Sequence, residues 1–155
     1  MDTICPAGNI YTSAEQSGRF YEMLLSGGEY QGKQIMNPKT VFRSTLPTSG
    51  LSIDRTLLAP MRYALGPMLG SNPVGLFGPM TGQAFGHLGF SNILCWADPE
   101  RDISVSILTT GKSVVGTHLP ALAKTLYQIS NNCPRIPKNQ RRSLFATDRT
   151  ENNLV

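Results

Sequence analysis

The sequence predicts an α+β fold in which an antiparallel sheet carries a helix packed on it near the C-terminus. Three short segments rich in β-branched and aromatic residues follow one another at 83–90, 92–97 and 103–109, and such a succession is typical of an antiparallel meander. Beyond them, apolar residues recur at helical spacing, at Leu119, Leu122, Ala123, Leu126 and Tyr127. At 155 residues and 40% hydrophobic content, the chain is one globular domain by length, or a piece of one.

The first element of the chain is predicted to be a helix. Either Thr12 with Glu15 or Ser13 with Gln16 fits a capping box, in which each side chain satisfies a backbone N–H at the helix start. The glycine pair at 27–28 is expected to end this helix, because glycine readily takes the left-handed conformation found after helix ends.

A second, short helix is predicted to begin at Asn37 and Pro38 and to run to about Ser44, with the asparagine as cap and proline in the first turn. Residues 45–82 are rich in glycine and proline and are expected to be mostly loop, with a short strand at 63–66. So long an irregular stretch inside a domain is usually functional.

The predicted meander has clear turn and burial signals. Pro99 occupies the favoured second position of a type I turn between the last two segments. Residues 103–107 alternate apolar and small polar side chains, so one face of that strand should be buried. Three strands and one helix make a thin core with an open sheet edge, and the edge predicts possible self-association.

The net charge of +4 is concentrated at the C-terminal end. Residues 134–155 contain five basic and two acidic residues, which gives +3 and leaves +1 for residues 1–133. We therefore expect a domain over 1–133 and a polar, disordered tail over 134–155. A solvated tail is the simplest interpretation of this charge, and no nucleic-acid partner is expected.

Composition also limits cofactors and location. Cys5, Cys95 and Cys133 are odd in number and have no Cys-x-x-Cys spacing, so no metal site, disulfide framework or cofactor is predicted. Cys95 is expected to be a buried apolar residue, and a reducing compartment such as the cytoplasm is favoured. No stretch approaches the roughly 18 to 20 apolar residues of a membrane span, and no secretory signal is expected.

His87 is the candidate functional residue that the pattern itself indicates. It lies at the centre of a predicted strand, with Gly86 before it and Gly89 two residues after it. Glycine in a strand weakens it and often marks close approach by a ligand or by another backbone. Two interpretations stay open: a histidine displayed for hydrogen bonding or proton transfer, and a structural histidine packed on the sheet.

Several segments in order resemble the β-lactamase-related serine hydrolases, which include class C β-lactamases, D-alanyl carboxypeptidases and esterases. They are residues 6–14, 20–28, 32–41 and 85–90, the last continuing through 96–101. With the last helix, the resemblance extends over residues 6–130. It implies a partial β-lactamase/transpeptidase-like fold that lacks its N-terminal half.

The resemblance also implies a site. The family carries its third catalytic motif on an edge strand as Lys-Thr-Gly or His-x-Gly, and His87-Leu88-Gly89 matches the second form, which is more typical of esterases. His87 would then assist proton transfer or bind a substrate carboxylate, Gly89 would let the substrate approach, and the backbone N–H of Phe90 would be an oxyanion-hole donor. Leu88 lacks the hydroxyl that could bind a carboxylate, which argues against classical β-lactam specificity.

The family's nucleophilic motifs are absent from this sequence. No serine has lysine three residues later, and no Tyr-x-Asn occurs. Both motifs lie upstream of the matched part in the family, and nucleophilic catalysis needs a nucleophile with its activator. Two functions follow: the C-terminal fragment of a serine hydrolase that cleaves a small-molecule ester or amide through an acyl-enzyme, or a non-catalytic truncated isoform or pseudoenzyme that binds without turnover.

Overall fold

The computed structural model describes residues 10–89, 93–110 and 116–142. The helices in these ranges are α1 (Ala14–Leu25), α2 (Pro38–Thr45) and α3 (Leu119–Asn132), followed by a 3₁₀ turn at Lys138–Gln140. The strands are, in chain order, β1 (Glu29–Tyr30), β2 (Lys33–Gln34), β3 (Ser52–Asp54), β4 (Ala59–Tyr63), β5 (Met68–Leu69), β6 (Val74–Gly75), β7 (Gly78–Pro79), β8 (Phe85–Gly89), β9 (Ile93–Asp98) and β10 (Ile103–Ile107).

Six of these strands form one antiparallel sheet, so the predicted α+β fold is confirmed. Its order is β10-β9-β8-β5-β4-β3, and β1–β2 and β6–β7 form separate two-stranded ladders. The predicted meander is the β8-β9-β10 part, in which the central strand β9 is almost wholly buried. Along β10, Ser104 and Ser106 lie near α1, while Val105 and Ile107 pack into the core on the opposite face.

The two faces of the sheet are covered by different helices. On one face, Leu122, Leu126 and Ile129 of α3 pack against a core that contains Trp96 and Phe77, whose rings stack with centroids 5.4 Å apart. This packing confirms the predicted C-terminal helix on the sheet.

On the other face, α1 packs through Tyr21, Leu24 and Leu25 against Phe85 and neighbouring buried residues of the sheet. None of the helices in the described ranges is long and apolar enough to cross a membrane.

The helix starts follow their predicted caps. Of the two capping boxes left open by the sequence, Ser13 with Gln16 is the one formed: the Ser13 hydroxyl accepts from the Gln16 N–H at 3.1 Å, and the Gln16 side chain accepts from the Ser13 N–H at 3.2 Å. Asn37 caps α2 by accepting from the N–H of Lys39. The glycine pair at 27–28 ends α1, with both residues at positive φ.

The prediction of mostly loop over 45–82 is wrong in part, because β3 to β7 all lie there. These strands have two to five residues each, too few for an alternating pattern to stand out from the surrounding glycine and proline. Of the strand predicted at 63–66, only Tyr63 belongs to a strand, as the end of β4. The next residue turns away: the N–H of Ala64 bonds to the carbonyl of Pro67 at 3.0 Å.

The first part of the predicted tail, residues 134–142, lies against the turn between β9 and β10. Glu100 in that turn pairs with Arg141 at 3.1 Å, and Asp102 pairs with Arg142 at 2.7 Å. Arg141 and Arg142, two of the five basic residues that suggested a solvated tail, therefore have acidic partners about 40 residues upstream in the sequence, which composition alone cannot reveal. The rest of the predicted tail lies outside the described residues, and the domain boundary stays a prediction.

Candidate functional site

His87 lies in the middle of β8 with its side chain exposed on the α1 face of the sheet. Its Nδ1 is 2.9 Å from the carbonyl oxygen of Leu88. A neutral imidazole has one N–H and one acceptor nitrogen, so a proton on Nδ1 that is donated to this carbonyl leaves Nε2 as the acceptor. The histidine is thus displayed rather than packed into the core.

The edge of β8 beside His87 is open within the described residues. β5 pairs with β8 only at Phe85 and Gly86, whereas β9 pairs with the whole of β8 as far as Gly89. The N–H of Leu88 points to the β5 side, where it reaches the Met68 sulfur at 3.4 Å. Among the described residues, no strand pairs with this half of β8 on the β5 side, and a ligand can approach its backbone there.

The two glycines of the motif have different surroundings. A Cβ on Gly86 would lie 2.2 Å from the Cys95 carbonyl oxygen and 2.5 Å from the Trp96 Cβ. Gly86 is therefore required by the approach of the neighbouring strand, one of the two reasons expected for glycine in a strand. At Gly89 the nearest atom to such a Cβ is the Ile93 Cβ at 3.3 Å, a tight but far less severe contact.

An open cavity of about 280 Å³ lies beside His87, between the sheet, α1 and α2. Its wall combines residues of α1, the segment before α2, the end of α2, the turn before β5 and the first three residues of β8: Phe20, Tyr21, Leu24, Met36, Ser44, Thr45, Gly66, Pro67, Phe85, Gly86 and His87. None of these residues is Asp, Glu, Lys or Arg. The cavity is therefore mostly apolar, with the histidine at its rim.

Tyr21 is the second titratable group of the cavity. Burial, and next the nearby Cys95, raise the pKa of Tyr21 to about 12, so its hydroxyl is neutral at physiological pH. Its ring meets that of Phe20 edge-on, with centroids 5.5 Å apart. Cys95 is buried as predicted, and its sulfur accepts a hydrogen bond from the Ser17 hydroxyl at 3.2 Å.

The structure brings two of the three predicted site residues, His87 and Gly89, to the open part of β8. Phe90, the predicted oxyanion-hole donor, lies outside the described residues. The rest of the cavity wall was not predicted from the sequence. The one signal in the sequence is the helical spacing of Phe20, Met23 and Leu24, which predicts an apolar face on α1 but does not reveal what that face contacts.

Sequence comparison relates the chain to known hydrolases. The family model described as Beta-lactamase matches residues 1–126. The chain is 29% identical over 108 residues to the esterase/β-lactamase LipL of Mycobacterium tuberculosis, an alignment that covers 70% of this chain and 24% of LipL.

Solved structures agree with this relationship. The fold is similar to a penicillin-binding protein homologue from Caulobacter crescentus (TM-score 0.57, 26% identity), over 66% of this chain and 26% of that one. It is also similar to a family VIII carboxylesterase (TM-score 0.58, 22% identity), over 76% of this chain and 31% of that one, a likeness of fold alone. The chain spans about a quarter to a third of the length of these proteins.

Proposed function

Because the chain belongs to the β-lactamase family of serine hydrolases, we propose that it forms one wall of a hydrolase active site, on which a small-molecule ester or amide is cleaved through an acyl-enzyme. The observation that carries this proposal is the position of His87. It is exposed at an open strand edge and stands at the rim of an apolar cavity. A structural histidine would instead be packed between the sheet and a helix.

The proposed chemistry is acyl transfer in two steps. A serine hydroxyl loses its proton to a base and attacks the substrate carbonyl carbon, and the carbonyl electron pair moves onto oxygen. When this tetrahedral intermediate collapses, the bond to the leaving group breaks and the leaving group takes up a proton. Water then repeats the attack on the acyl-enzyme and releases the acid.

In this scheme His87 assists proton transfer or binds the substrate, using Nε2 while Nδ1 is held by the Leu88 carbonyl. Gly89 leaves the strand edge accessible. We assign the backbone N–H of Phe90 to the developing oxyanion. This role is the one that the family resemblance implies for the residue after His87-Leu88-Gly89. Such a donor typically contributes about 10²–10³ in rate.

The nucleophile in this scheme comes from outside the 155 residues, since no serine in them belongs to a Ser-x-x-Lys motif. A direct test uses a chimera in which this chain replaces the part of LipL that aligns with it. The upstream part of LipL is kept and is joined to this chain. The chimera should hydrolyse p-nitrophenyl esters and react with a fluorophosphonate probe at a LipL serine.

The control is the 155-residue chain alone, which should do neither above background. A stoichiometric adduct on any serine or threonine of the isolated chain would contradict the proposal that the nucleophile comes from outside these 155 residues. A folded chimera whose LipL serine does not react would contradict the proposed function itself.

A further inference from the structure

We propose that the cavity beside His87 is the subsite for a neutral, apolar substituent of the substrate, an alkyl or aryl group, and that it rejects a carboxylate. This inference rests on the proposed function and narrows its substrate class. Its test measures binding in the described cavity and requires no catalytic step.

The side chains of the wall leave little hydrogen-bonding capacity in the cavity. Phe20, Leu24 and Phe85 present carbon atoms only. The Ser44 hydroxyl already donates to the carbonyl of Val41 at 2.8 Å, and the Thr45 hydroxyl donates to the carbonyl of Phe42 at 2.9 Å. A ligand group in this cavity therefore gains mainly by removal of apolar surface from water.

The lack of basic side chains in the described wall also excludes an anion. None of the described residues that line the cavity is Lys or Arg, and a carboxylate moved there would lose its hydration without gaining a fixed cation. The Tyr21 hydroxyl, with its pKa raised to about 12, offers at most one neutral donor. His87 stands at the rim beside the open strand edge, where the reacting carbonyl is expected.

The volume sets the size of the group. A closed cavity of about 150 Å³ lined by apolar side chains admits benzene, and the cavity here measures about 280 Å³. It therefore has room for an aryl group or for a linear alkyl group of comparable or greater size. Each methylene added within that size should tighten binding about fourfold, the factor expected for burying one CH₂.

Binding of neutral ketones, which resemble esters and cannot be hydrolysed, tests this directly. The 155-residue chain is titrated with 2-pentanone, 2-heptanone and sodium hexanoate at pH 7.5, and amide shifts of Tyr21, Phe85 and Gly86 are followed by NMR. We expect 2-heptanone to bind about 15-fold more tightly than 2-pentanone, because two more methylenes are buried and each contributes about fourfold. Hexanoate carries the same pentyl group with a charge, and it should bind at least tenfold more weakly than 2-heptanone.

A matched pair of variants locates the binding. Phe20 on α1 and Tyr127 on α3 are aromatic residues of similar exposure, 51% and 56%, on opposite faces of the sheet. Phe20→Ala should weaken 2-heptanone binding about fivefold, and Tyr127→Ala should leave it unchanged.

Three results would overturn the inference: hexanoate binding as tightly as 2-heptanone, equal effects of the two variants, or a chain with no folded NMR spectrum, since the cavity requires the fold. Failure of the LipL chimera to hydrolyse esters, with ketone binding intact, would remove the proposed function and leave the binding subsite standing.

Discussion

Gly86 and Trp96 face each other across the β8–β9 ladder with no space for a methyl group between them. A Cβ on Gly86 would lie 2.5 Å from the Trp96 Cβ, a distance that real Cβ atoms essentially never show. Trp96 is itself fixed by its stack on Phe77 in the core beneath α3. The close pairing of β9 with β8, the strand that carries His87, therefore depends on glycine at position 86.

The first prediction follows from this contact. Gly86→Ala should lower the free energy of unfolding by about 1–3 kcal/mol, the usual cost of overpacking a core. Gly66→Ala is the control, because a Cβ there has no atom of the described residues within 4 Å and its φ is not positive. That change should be neutral, or stabilising by up to about 1 kcal/mol. Urea unfolding of both variants measures the difference, and equal midpoints would refute the role assigned to the Gly86–Trp96 contact.

The second prediction concerns the buried ion pair of Asp98 and Arg101, whose side chains are 1% and 5% exposed and 2.7 Å apart. Arg101 also donates to the carbonyl oxygens of Met80 and Cys133, at 3.0 and 3.1 Å. Arg101→Met removes these bonds and leaves a buried carboxylate without its cation. The free energy of unfolding should fall by about 3–5 kcal/mol.

The matched control is Arg19→Met, which breaks the exposed pair of Arg19 with Glu15 and should cost less than about 1 kcal/mol. Adding Asp98→Asn to Arg101→Met should recover part of the loss, because the uncompensated charge is then gone. A double variant less stable than Arg101→Met alone would mean that Asp98 contributes chiefly through other contacts, such as its bond from the Glu100 N–H.

The third prediction uses the pH dependence of Asp54. The Tyr63 hydroxyl, which donates to its carboxylate at 2.5 Å, lowers the pKa of Asp54 below its ordinary value of 3.8, and the N–H groups of Leu57 and Thr56 lower it further. A carboxyl with a lowered pKa in the folded state contributes stability above its unfolded pKa, and this contribution is lost as pH falls through the folded value.

Tyr63→Phe should therefore raise the pKa of Asp54 toward 3.8 and make the acid-side loss of stability shallower. Titration of the Asp54 side-chain carbon by NMR measures the first effect, and thermal unfolding from pH 5 to pH 2 measures the second. Tyr127→Phe, on an exposed tyrosine of α3, serves as the control. An Asp54 titration that is the same in both variants would show that the Tyr63 bond is not what lowers its pKa.

Local signals explain which elements could be predicted from the sequence. Ser13 and Asn37 fix helix starts through bonds to N–H groups two or three residues away, and Pro99 marks the turn of the meander. The strands from β3 to β5 have no such signal. They depend on partners across the sheet and on Arg62, whose guanidinium donates to the carbonyls of Gly70 and Gly82, and these contacts join residues 8 and 20 positions apart.

The candidate site shows the same contrast between local signals and contacts of residues far apart in the sequence. His87 was found because its strand and its glycine neighbours lie in one short segment. The cavity was not, since its wall brings together Phe20, Pro67 and Phe85 from three separate elements. Only the packing of α1 on the sheet places them side by side.

The last prediction separates catalysis from structure at His87, and it uses the LipL chimera. His87→Ala should lower kcat/KM for p-nitrophenyl esters by about 100-fold, the lower end of a general acid–base contribution. His118→Ala is the control, because that histidine lies at the start of α3, outside the wall of the cavity. It should leave kcat/KM nearly unchanged.

In the isolated chain, His87→Ala should change the free energy of unfolding by less than about 0.5 kcal/mol, since the side chain is exposed and contributes little packing. His87→Lys, which restores the cation of the Lys-Thr-Gly form of the motif, should keep more activity than His87→Ala if this position binds or moves a proton. A structural histidine predicts the opposite pattern: a large loss of stability in both variants and normal specific activity in the folded fraction. Unchanged kinetics in a stable His87→Ala chimera would instead remove His87 from the reaction.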